Sequence, residues 1–246
     1  MRTERNKMEF FESSNALESL RSSDFDNLSA YAEVIDNSLQ AEAKNIKIHF
    51  FATQVKSNYQ RVDEVAFGDD GTGMDTATLH ACLKLGWSSR YNDRGGIGRF
   101  GVGMVLGAIH ECQRIEVYSN SGSGWHYTYV DLQEIEEGTL VEIPEPIKKT
   151  VPEKYSHMLS DGSGTLAIWS KYDRQPKSSN LIIKEADHYF GRTFRHFIWD
   201  DEVTIELNNS PVKAFDPLYF NVGKTNFPND PPANLFEPME FDWPSG

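Results

Sequence analysis

The sequence contains few cysteines, and they form no structural pattern. Cys82 and Cys112 belong to no CxxC pair and to no His/Cys cluster with the spacing of a zinc site. We therefore expect two free thiols in a reducing compartment, which indicates a cytoplasmic protein.

Long apolar segments are also missing. The first fourteen residues are polar and lack the apolar core of about 7–15 residues that a signal peptide contains. No run approaches the roughly 18 apolar residues that a membrane-spanning helix requires. These absences predict a protein that does not interact with a membrane.

Basic residues are scarce as well. The chain has 24 Lys and Arg residues against 37 Asp and Glu residues, for a formal net charge of −13. An acidic surface disfavours wrapping of nucleic-acid phosphates, so we expect any contact with DNA or with partner proteins to depend on regions outside this acidic segment. Hydrophobic residues make up 39% of the 246 residues, which is enough for the core of one large domain.

An amphipathic helix is predicted from about Leu28 to Ala43, and Asp26 offers a capping side chain before it. Apolar residues three and four apart form one stripe of this helix. Glu33 and Asn37 are four apart and therefore share a different stripe, with Asp36 beside it. Two shorter helices are predicted at Thr76–Leu85 and Val102–Cys112.

Alternating or continuous apolar runs predict strands over much of the first 175 residues. Since strands follow one another with few helices between them, we predict an antiparallel sheet. The fold class is therefore α+β, a two-layer sandwich of helices on a mostly antiparallel sheet. The predicted strands are Asn45–Ala52, Glu64–Phe67, Arg114–Ser119, Trp125–Leu132, Thr139–Ile143 and Thr165–Ser170.

A domain boundary is predicted near residue 175, where a polar segment contains Pro176. Beyond it we predict a helix at Ile182–Trp199, then strands at Val203–Leu207 and Val212–Phe215 on either side of a hairpin turn. The tail is rich in proline and is predicted to be extended.

Three separated segments carry residue types that bind purines, phosphates or metal ions. They are Ala32–Asn37, Asp69–Gly73 and Gly98–Gly103, and Gly164-Thr165 opens a later strand as a fourth. Each alone is common, since an acid and an amide on a helix are usually a solvated face and DxGxG is a frequent turn. Their occurrence together in this order is more specific.

This order of motifs resembles the GHKL superfamily, which includes gyrase B subunits, the large heat-shock chaperones, histidine kinases and MutL with its MORC relatives. The likeness spans roughly residues 28–170 and looks closest to bacterial MORC-like and MutL-like ATPases. It implies the Bergerat ATP-binding fold over residues 1–175. Residues 176–246 look like the start of a transducer-like second domain with an extended tail.

The resemblance implies that ATP and Mg²⁺ bind here. It makes Glu33 the general base and Asn37 the magnesium ligand, and their i, i+4 spacing agrees because such side chains reach the same space. Asp69 matches the residue that accepts a hydrogen bond from the amino group of adenine. Thr165 matches the residue that supports this aspartate and the purine.

Further contacts with ATP follow from the same resemblance. Gly71 and Gly73 allow close approach to the base and sugar, and Met74 lines the adenine slot. Residues 86–100 match the ATP lid, in which Ser88, Ser89 and Arg90 reach the phosphates. Backbone N–H groups at the start of the next helix face the β- and γ-phosphates. They belong to Gly98, Arg99, Phe100, Gly101, Val102 and Gly103.

Two alternatives are disfavoured. Gly96–Gly101 also satisfies GxGxxG, with Glu116 twenty residues on, but a polar stretch precedes it where a dinucleotide-binding fold has a buried strand. His110-Glu111 is similar to the start of a kinase phosphoacceptor motif, yet it follows the glycine motif within an apolar helix. A packed structural histidine fits this position better.

The resemblance implies Mg²⁺-dependent ATP hydrolysis that drives an ATP-gated homodimer clamp or switch in DNA manipulation or bacterial, antiviral defence. The alternative is a chaperone-like or signalling module with slow or no hydrolysis. Many members of the superfamily have an acid three residues after the magnesium asparagine, where this chain has Gln40. Since glutamine can still form a hydrogen bond, this difference concerns only the detail of the contact that the residue makes. In gyrase, MutL and MORC relatives a lysine from the second domain contacts the γ-phosphate. No residue is assigned to this role here, because Lys213 is expected to be a surface residue of the hairpin.

Overall fold

A computed structural model describes residues 18–22, 26–57, 59–85, 103–174, 177–200 and 202–220, with isolated positions between 229 and 239. Within these residues the chain forms one eight-stranded sheet. The strands are β1 (Asn45–Lys56), β2 (Tyr59–Asp69), β3 (Cys112–Asn120), β4 (His126–Asp131), β5 (Ile147–Lys148), β6 (Gly164–Tyr172), β7 (Thr204–Leu207) and β8 (Ser210–Pro211). Their order in the sheet is β5-β4-β3-β6-β2-β1-β7-β8. Neighbouring strands are antiparallel, except for the parallel pair β1 and β7.

The described helices are α1 (Asn27–Gln40), α2 (Thr76–Ala81), α3 (Gly103–Glu111), α4 (Leu132–Glu136), α5 (Ser179–Thr193) and α6 (Arg195–Trp199), with a 3₁₀ helix at Glu153–Met158. Helices α1, α3 and α5 cover one face of the sheet and share a single apolar core with it. This arrangement confirms the predicted two-layer α+β sandwich with a mostly antiparallel sheet.

The alternation of strand residues separates the two faces. Val65 and Phe67 of β2 contact the helices, whereas Ala66 between them packs on the opposite face. The pairing of β1 with β2 shifts after Phe51, which opposes Glu64 while the next residue opposes Val62. This bulge skips one residue of β2, so Val62 and Val65 both contact the helix layer.

Aromatic rings fill the centre of the helix layer. Tyr31 of α1 and Trp169 of β6 are fully buried, with ring centroids 5.6 Å apart, and Phe67 lies 5.1 Å from Trp169. Burial of side chains of this size stabilises a fold by about 1.5–3 kcal/mol each. Tyr155 and Met158 of the 3₁₀ helix cover part of the other face.

The segment after residue 177 joins the same sheet and core. Ile182, Ala186 and Phe190 of α5 belong to the core that contains α1, and β7 pairs with β1. Asn208 and Asn209 both have positive φ, 48° and 63°, as a two-residue hairpin between β7 and β8 requires. The division into domains at 175 and the transducer-like nature of 176–246 stay predictions.

Three predicted elements are corrected. Thr139–Ile143 is not a strand, because Asp131 caps α4 and the backbone N–H groups of residues 139 and 140 turn back to the Glu134 carbonyl oxygen. The predicted helix Ile182–Trp199 is two helices, α5 and α6, since Phe194 leaves helical geometry and is buried. Val212–Phe215 is not a strand; the short strand β8 precedes it.

Candidate functional site

Asp69 ends β2 and is the centre of the site. Its Oδ1 accepts hydrogen bonds from the backbone N–H groups of Gly71 at 3.0 Å and Thr165 at 3.2 Å, and its Oδ2 accepts from Ser38 Oγ at 3.0 Å. The side chain is largely buried. Burial raises the pKa of Asp69, and the three hydrogen bonds oppose that rise because they stabilise the carboxylate.

Helix α1 brings its C-terminal half against Asp69. It begins after Asp26, whose carboxylate accepts from the Ser29 backbone N–H. Its apolar stripe anchors it to the sheet and directs Ser38 inward, where the single hydroxyl proton is shared between Asp69 and the Val34 carbonyl oxygen at 3.1 Å. At the end of the helix, the Ala41 carbonyl oxygen accepts from the Thr72 backbone N–H at 2.8 Å.

Glu33 and Asn37 lie on the neighbouring stripe of α1, where Glu33 is half-buried and Asn37 is exposed. Burial raises the pKa of Glu33. Burial and the charge of Glu33 raise the pKa of Asp36 to about 6. Within the described ranges no cationic side chain forms an ion pair with either carboxylate. A carboxylate with a raised pKa is a better proton acceptor near neutral pH than an ordinary glutamate.

The turn after Asp69 depends on two glycines. A Cβ atom on Gly71 would lie 2.6 Å from the Ala41 carbonyl oxygen, and one on Gly73 would lie 2.1 Å from the Asn120 carbonyl oxygen. Gly73 also has φ of +68°, which L side chains rarely adopt. These glycines let the turn lie directly against the end of α1 and the end of β3.

Asp70 fixes the other side of this turn. Its carboxylate accepts from the backbone N–H groups of Lys44 at 2.7 Å and Asn45 at 2.8 Å, and from Asn45 Nδ2 at 2.6 Å. Partial burial acts to raise the pKa of Asp70, but these hydrogen bonds outweigh it and hold the pKa below its usual value. Asp70 therefore stays charged and supports the turn.

The third side of the site is formed by β3 and β6. Asp69 and Thr165 are opposite each other in the β2–β6 pair, and Thr165 is opposite Ser119 in the β3–β6 pair. The Ser119 and Thr165 hydroxyl oxygens are 2.9 Å apart, and the Met74 backbone N–H donates to Ser119 Oγ at 2.8 Å. Met74 is partly buried against the core.

The structure therefore brings together five of the predicted site residues, namely Asp69, Gly71, Gly73, Met74 and Thr165. Gly71 and Thr165 donate hydrogen bonds to Asp69, and Gly73 and Met74 follow in the same turn. Glu33 and Asn37 are carried on the helix that contacts Asp69. Gly103 is the first residue of α3, which packs against α1. The predicted contacts at Ser88, Ser89, Arg90, Gly98, Arg99, Phe100, Gly101 and Val102, with the rest of the lid at 86–100, lie outside the described residues.

Sequence reasoning missed Ser38, Asp70 and Ser119. Ser38 directly follows the Asn37 motif, and Asp70 is inside the DxGxG turn, so both lie within segments that the motifs had already marked. Ser119 is far from every motif, and only strand pairing places it beside Thr165.

The donor set also bears on the magnesium prediction. Within the described residues, no three His, Cys, Asp or Glu side chains cluster in a way that could hold a metal ion. A divalent cation at this site would therefore depend on few protein oxygens and on the phosphates of its ligand, which is how Mg²⁺ commonly binds nucleotides.

The antiparallel sheet with helices on one face, and a buried aspartate at a strand end beside a helix, defines an α+β nucleotide-binding sandwich and excludes a parallel dinucleotide-binding fold. Residues 26–165, more than half of the chain, match the family described as histidine kinase-, DNA gyrase B- and HSP90-like ATPases. The chain belongs to this GHKL-type family, and ATP is its expected ligand. No curated protein gives a significant match.

Among the helices of the described ranges, none is both long and apolar enough to cross a membrane.

Proposed function

We propose that this chain binds ATP with its adenine at Asp69 and hydrolyses it with Glu33 as general base. The observation that supports this most strongly is the buried Asp69 carboxylate, which joins α1, the glycine turn and β6 through Ser38, Gly71 and Thr165. A carboxylate held by fixed donors accepts a hydrogen bond from an exocyclic amino group without rearrangement. Gly73 and Met74 complete the adenosine side of the site.

Glu33 is suited to activate water because it is half-buried and its pKa is raised. Asn37, one turn later and exposed, would hold Mg²⁺, which neutralises charge on the phosphates. The backbone of residues 98–103 and the side chains of Ser88, Ser89 and Arg90 bind the β- and γ-phosphates in this proposal. The position of α3 beside α1 supports it, since Gly103 starts that helix.

In the wider proposal, ATP binding closes a homodimer that opens after hydrolysis, as a clamp or switch in DNA manipulation or in bacterial defence against foreign DNA. The order of the motifs, which resembles MORC-like and MutL-like ATPases, supports this assignment. Residues 176–246 would be the start of the transducer-like part. The formal net charge of −13 supports a DNA contact through regions outside this acidic segment, because an acidic surface disfavours the binding of phosphates.

Substitution of the proposed base tests the reaction. Glu33→Ala should retain ATP affinity within about threefold and reduce kcat by about a hundredfold or more, because a general base contributes roughly 10²–10⁴ to the rate. The measurements are calorimetric ATP binding and steady-state phosphate release. Glu145→Ala, which removes an exposed acid, is the matched control and should leave both unchanged.

The same variant tests the dimer, because it retains bound ATP. Light scattering of Glu33→Ala should show a doubled mass with ATP and Mg²⁺ and a single chain without them. A single chain in both conditions counts against the clamp. Wild-type protein that binds ATP without turnover would favour the chaperone-like or signalling alternative.

A further inference from the structure

The two oxygens of the Asp69 carboxylate differ in how many donors they already have. A carboxylate oxygen has two lone pairs. Those of Oδ1 are both occupied, by the backbone N–H groups of Gly71 at 3.0 Å and Thr165 at 3.2 Å. Among the described residues, Oδ2 accepts from Ser38 Oγ alone, at 3.0 Å, so one of its lone pairs stays open. A ligand that donates a hydrogen bond to Asp69 is therefore directed to Oδ2, the oxygen that Ser38 holds.

The Ser38 hydroxyl is buried on α1, and its proton has two acceptors within reach. Its Oγ lies 3.0 Å from Asp69 Oδ2 and 3.1 Å from the Val34 carbonyl oxygen. An ionised carboxylate has no proton, so Ser38 must be the donor in its contact with Asp69. Hydrogen bonds to a charged acceptor are about twice as strong as those between neutral groups, which favours Asp69 over Val34.

We propose that Ser38 is a positioning residue that holds Asp69 Oδ2 as a charged, oriented acceptor for the amino group of adenine. This inference rests on the proposed ATP site, because it assigns that amino group to Oδ2. A purely structural role of Ser38 would support every nucleotide equally. The two roles are separated by an ATP analogue whose base is unsubstituted purine, since it lacks only the amino donor at C6.

The test is calorimetric binding of ATP and of this analogue to wild type and to Ser38→Ala. Wild type should bind ATP about thirtyfold more tightly than the analogue, as expected for a hydrogen bond to a charged acceptor. Ser38→Ala should reduce this preference about fivefold by weakening ATP, and should bind the analogue within about twofold of wild type. Alanine is a better helix former than serine, so α1 should still form.

The pH dependence of the preference is a second readout. Burial raises the pKa of Asp69, and its three hydrogen bonds oppose that rise. Loss of the Ser38 donor should raise the pKa further. As pH falls, the preference for ATP should therefore be lost at a higher pH in Ser38→Ala than in wild type. The analogue has the same triphosphate, so titration of the phosphates cancels in the ratio of the two affinities.

Ser29→Ala is the matched control. Ser29 is also on α1, and its hydroxyl donates to the Asp26 carboxylate at the same distance of 3.0 Å, but in the first turn of the helix. This variant removes a hydrogen bond of the same kind away from Asp69. It should change neither the preference for ATP nor its pH dependence.

Equal weakening of ATP and the analogue, or an unchanged preference, overturns the inference. Ser38→Cys, a similar volume with a weak donor, serves if Ser38→Ala does not fold, and should lower the preference in the same direction. Failure of both variants to fold assigns Ser38 to stability alone and overturns the inference as well. If wild type binds neither nucleotide, or both equally, the proposed adenine contact fails too; if wild type prefers ATP and Ser38→Ala keeps the full preference, only this inference fails.

Discussion

Asp69 and Glu111 are both buried carboxylates whose pKa is raised by burial, but their surroundings differ. Asp69 accepts from two backbone N–H groups and a serine hydroxyl. Glu111, the last residue of α3, has His110 Nδ1 at 3.2 Å from Oε1, whereas its Oε2 has no hydrogen-bond partner in the part of the chain that the structure describes.

Two buried tyrosine hydroxyls near Glu111 also lack hydrogen-bond partners among the described residues. The hydroxyls of Tyr31 and Tyr172 are buried and close enough to affect each other's pKa, yet neither makes a hydrogen bond of ordinary geometry within the described residues. The buried thiol of Cys112 lies near them. Three fixed donors favour a carboxylate that can accept from a ligand, as at Asp69, while burial with a single hydrogen-bond partner favours the neutral acid, as at Glu111.

The largest effect, a loss of ATP affinity, is expected from replacing the Asp69 carboxylate with an amide. Asp69→Asn preserves the shape of the side chain but places an N–H₂ group where the amino group of adenine would donate. Sites built to hydrogen-bond a ligand reject a mismatched group strongly, so ATP affinity should fall about a thousandfold, or roughly 4 kcal/mol. Calorimetric titration with ATP measures it.

Glu111→Gln makes the same chemical change at the other carboxylate and is the matched control. It should leave ATP affinity within about twofold of wild type. A similar loss of ATP binding in both variants would remove the distinction between the two sites.

Apolar periodicity explains which parts of the fold could be predicted. The stripe of α1 and the alternation in β1 repeat over many residues, so the sequence predicts these elements. Only Glu64–Phe67 of β2 is predicted, because the bulge between Val62 and Glu64 interrupts the alternation of that strand. The strand predicted at Thr139–Ile143 rested on a short apolar run, and Val141 there is 86% exposed, which shows that hydrophobicity alone does not form a strand. Gly138 with φ of +71° marks the turn that replaces it.

The site was predicted where its residues are close in sequence and missed where they meet through pairing. Asp69, Gly71 and Gly73 form one motif, so the turn was identified. Ser119 is brought beside Thr165 only by the register of β3 on β6, which a single sequence does not reveal. Buried hydroxyls also fall outside apolar periodicity, because they interrupt the pattern that predicts the core.

A smaller effect is expected from the backbone that supports Asp69. Gly73→Ala adds a Cβ atom 2.1 Å from the Asn120 carbonyl oxygen at a residue with φ of +68°, so the turn must move. The free energy of unfolding should fall by about 3 kcal/mol, from backbone strain plus the clash. Urea unfolding measures the loss.

Gly138→Ala separates the two causes. Gly138 has nearly the same φ, but a Cβ atom there meets nothing within 4 Å. It should cost about 1 kcal/mol, the strain alone. If both variants lose the same stability, close approach to β3 is not what requires a glycine at position 73.

The smallest effect is expected from the charge of Glu111. Its pKa in the folded protein is raised above the unfolded value near 4.5, so the folded state binds the proton more tightly. The free energy of unfolding of wild type therefore falls as pH rises from about 4.5 through the raised pKa, and the full cost of the buried charge is present above it. The glutamine side chain of Glu111→Gln does not ionise in this pH range, so the variant avoids the cost of the buried charge.

Glu111→Gln should thus be more stable than wild type by about 1–2 kcal/mol at pH 8, and the difference should shrink towards zero near pH 4. Urea unfolding at the two pH values gives the comparison, with Glu145→Gln as an exposed control that shows no such trend. The pH dependence decides the cause. A difference that is equal at both pH values would come from packing around Tyr31 and Tyr172, and burial of charge would then not distinguish Glu111 from Asp69.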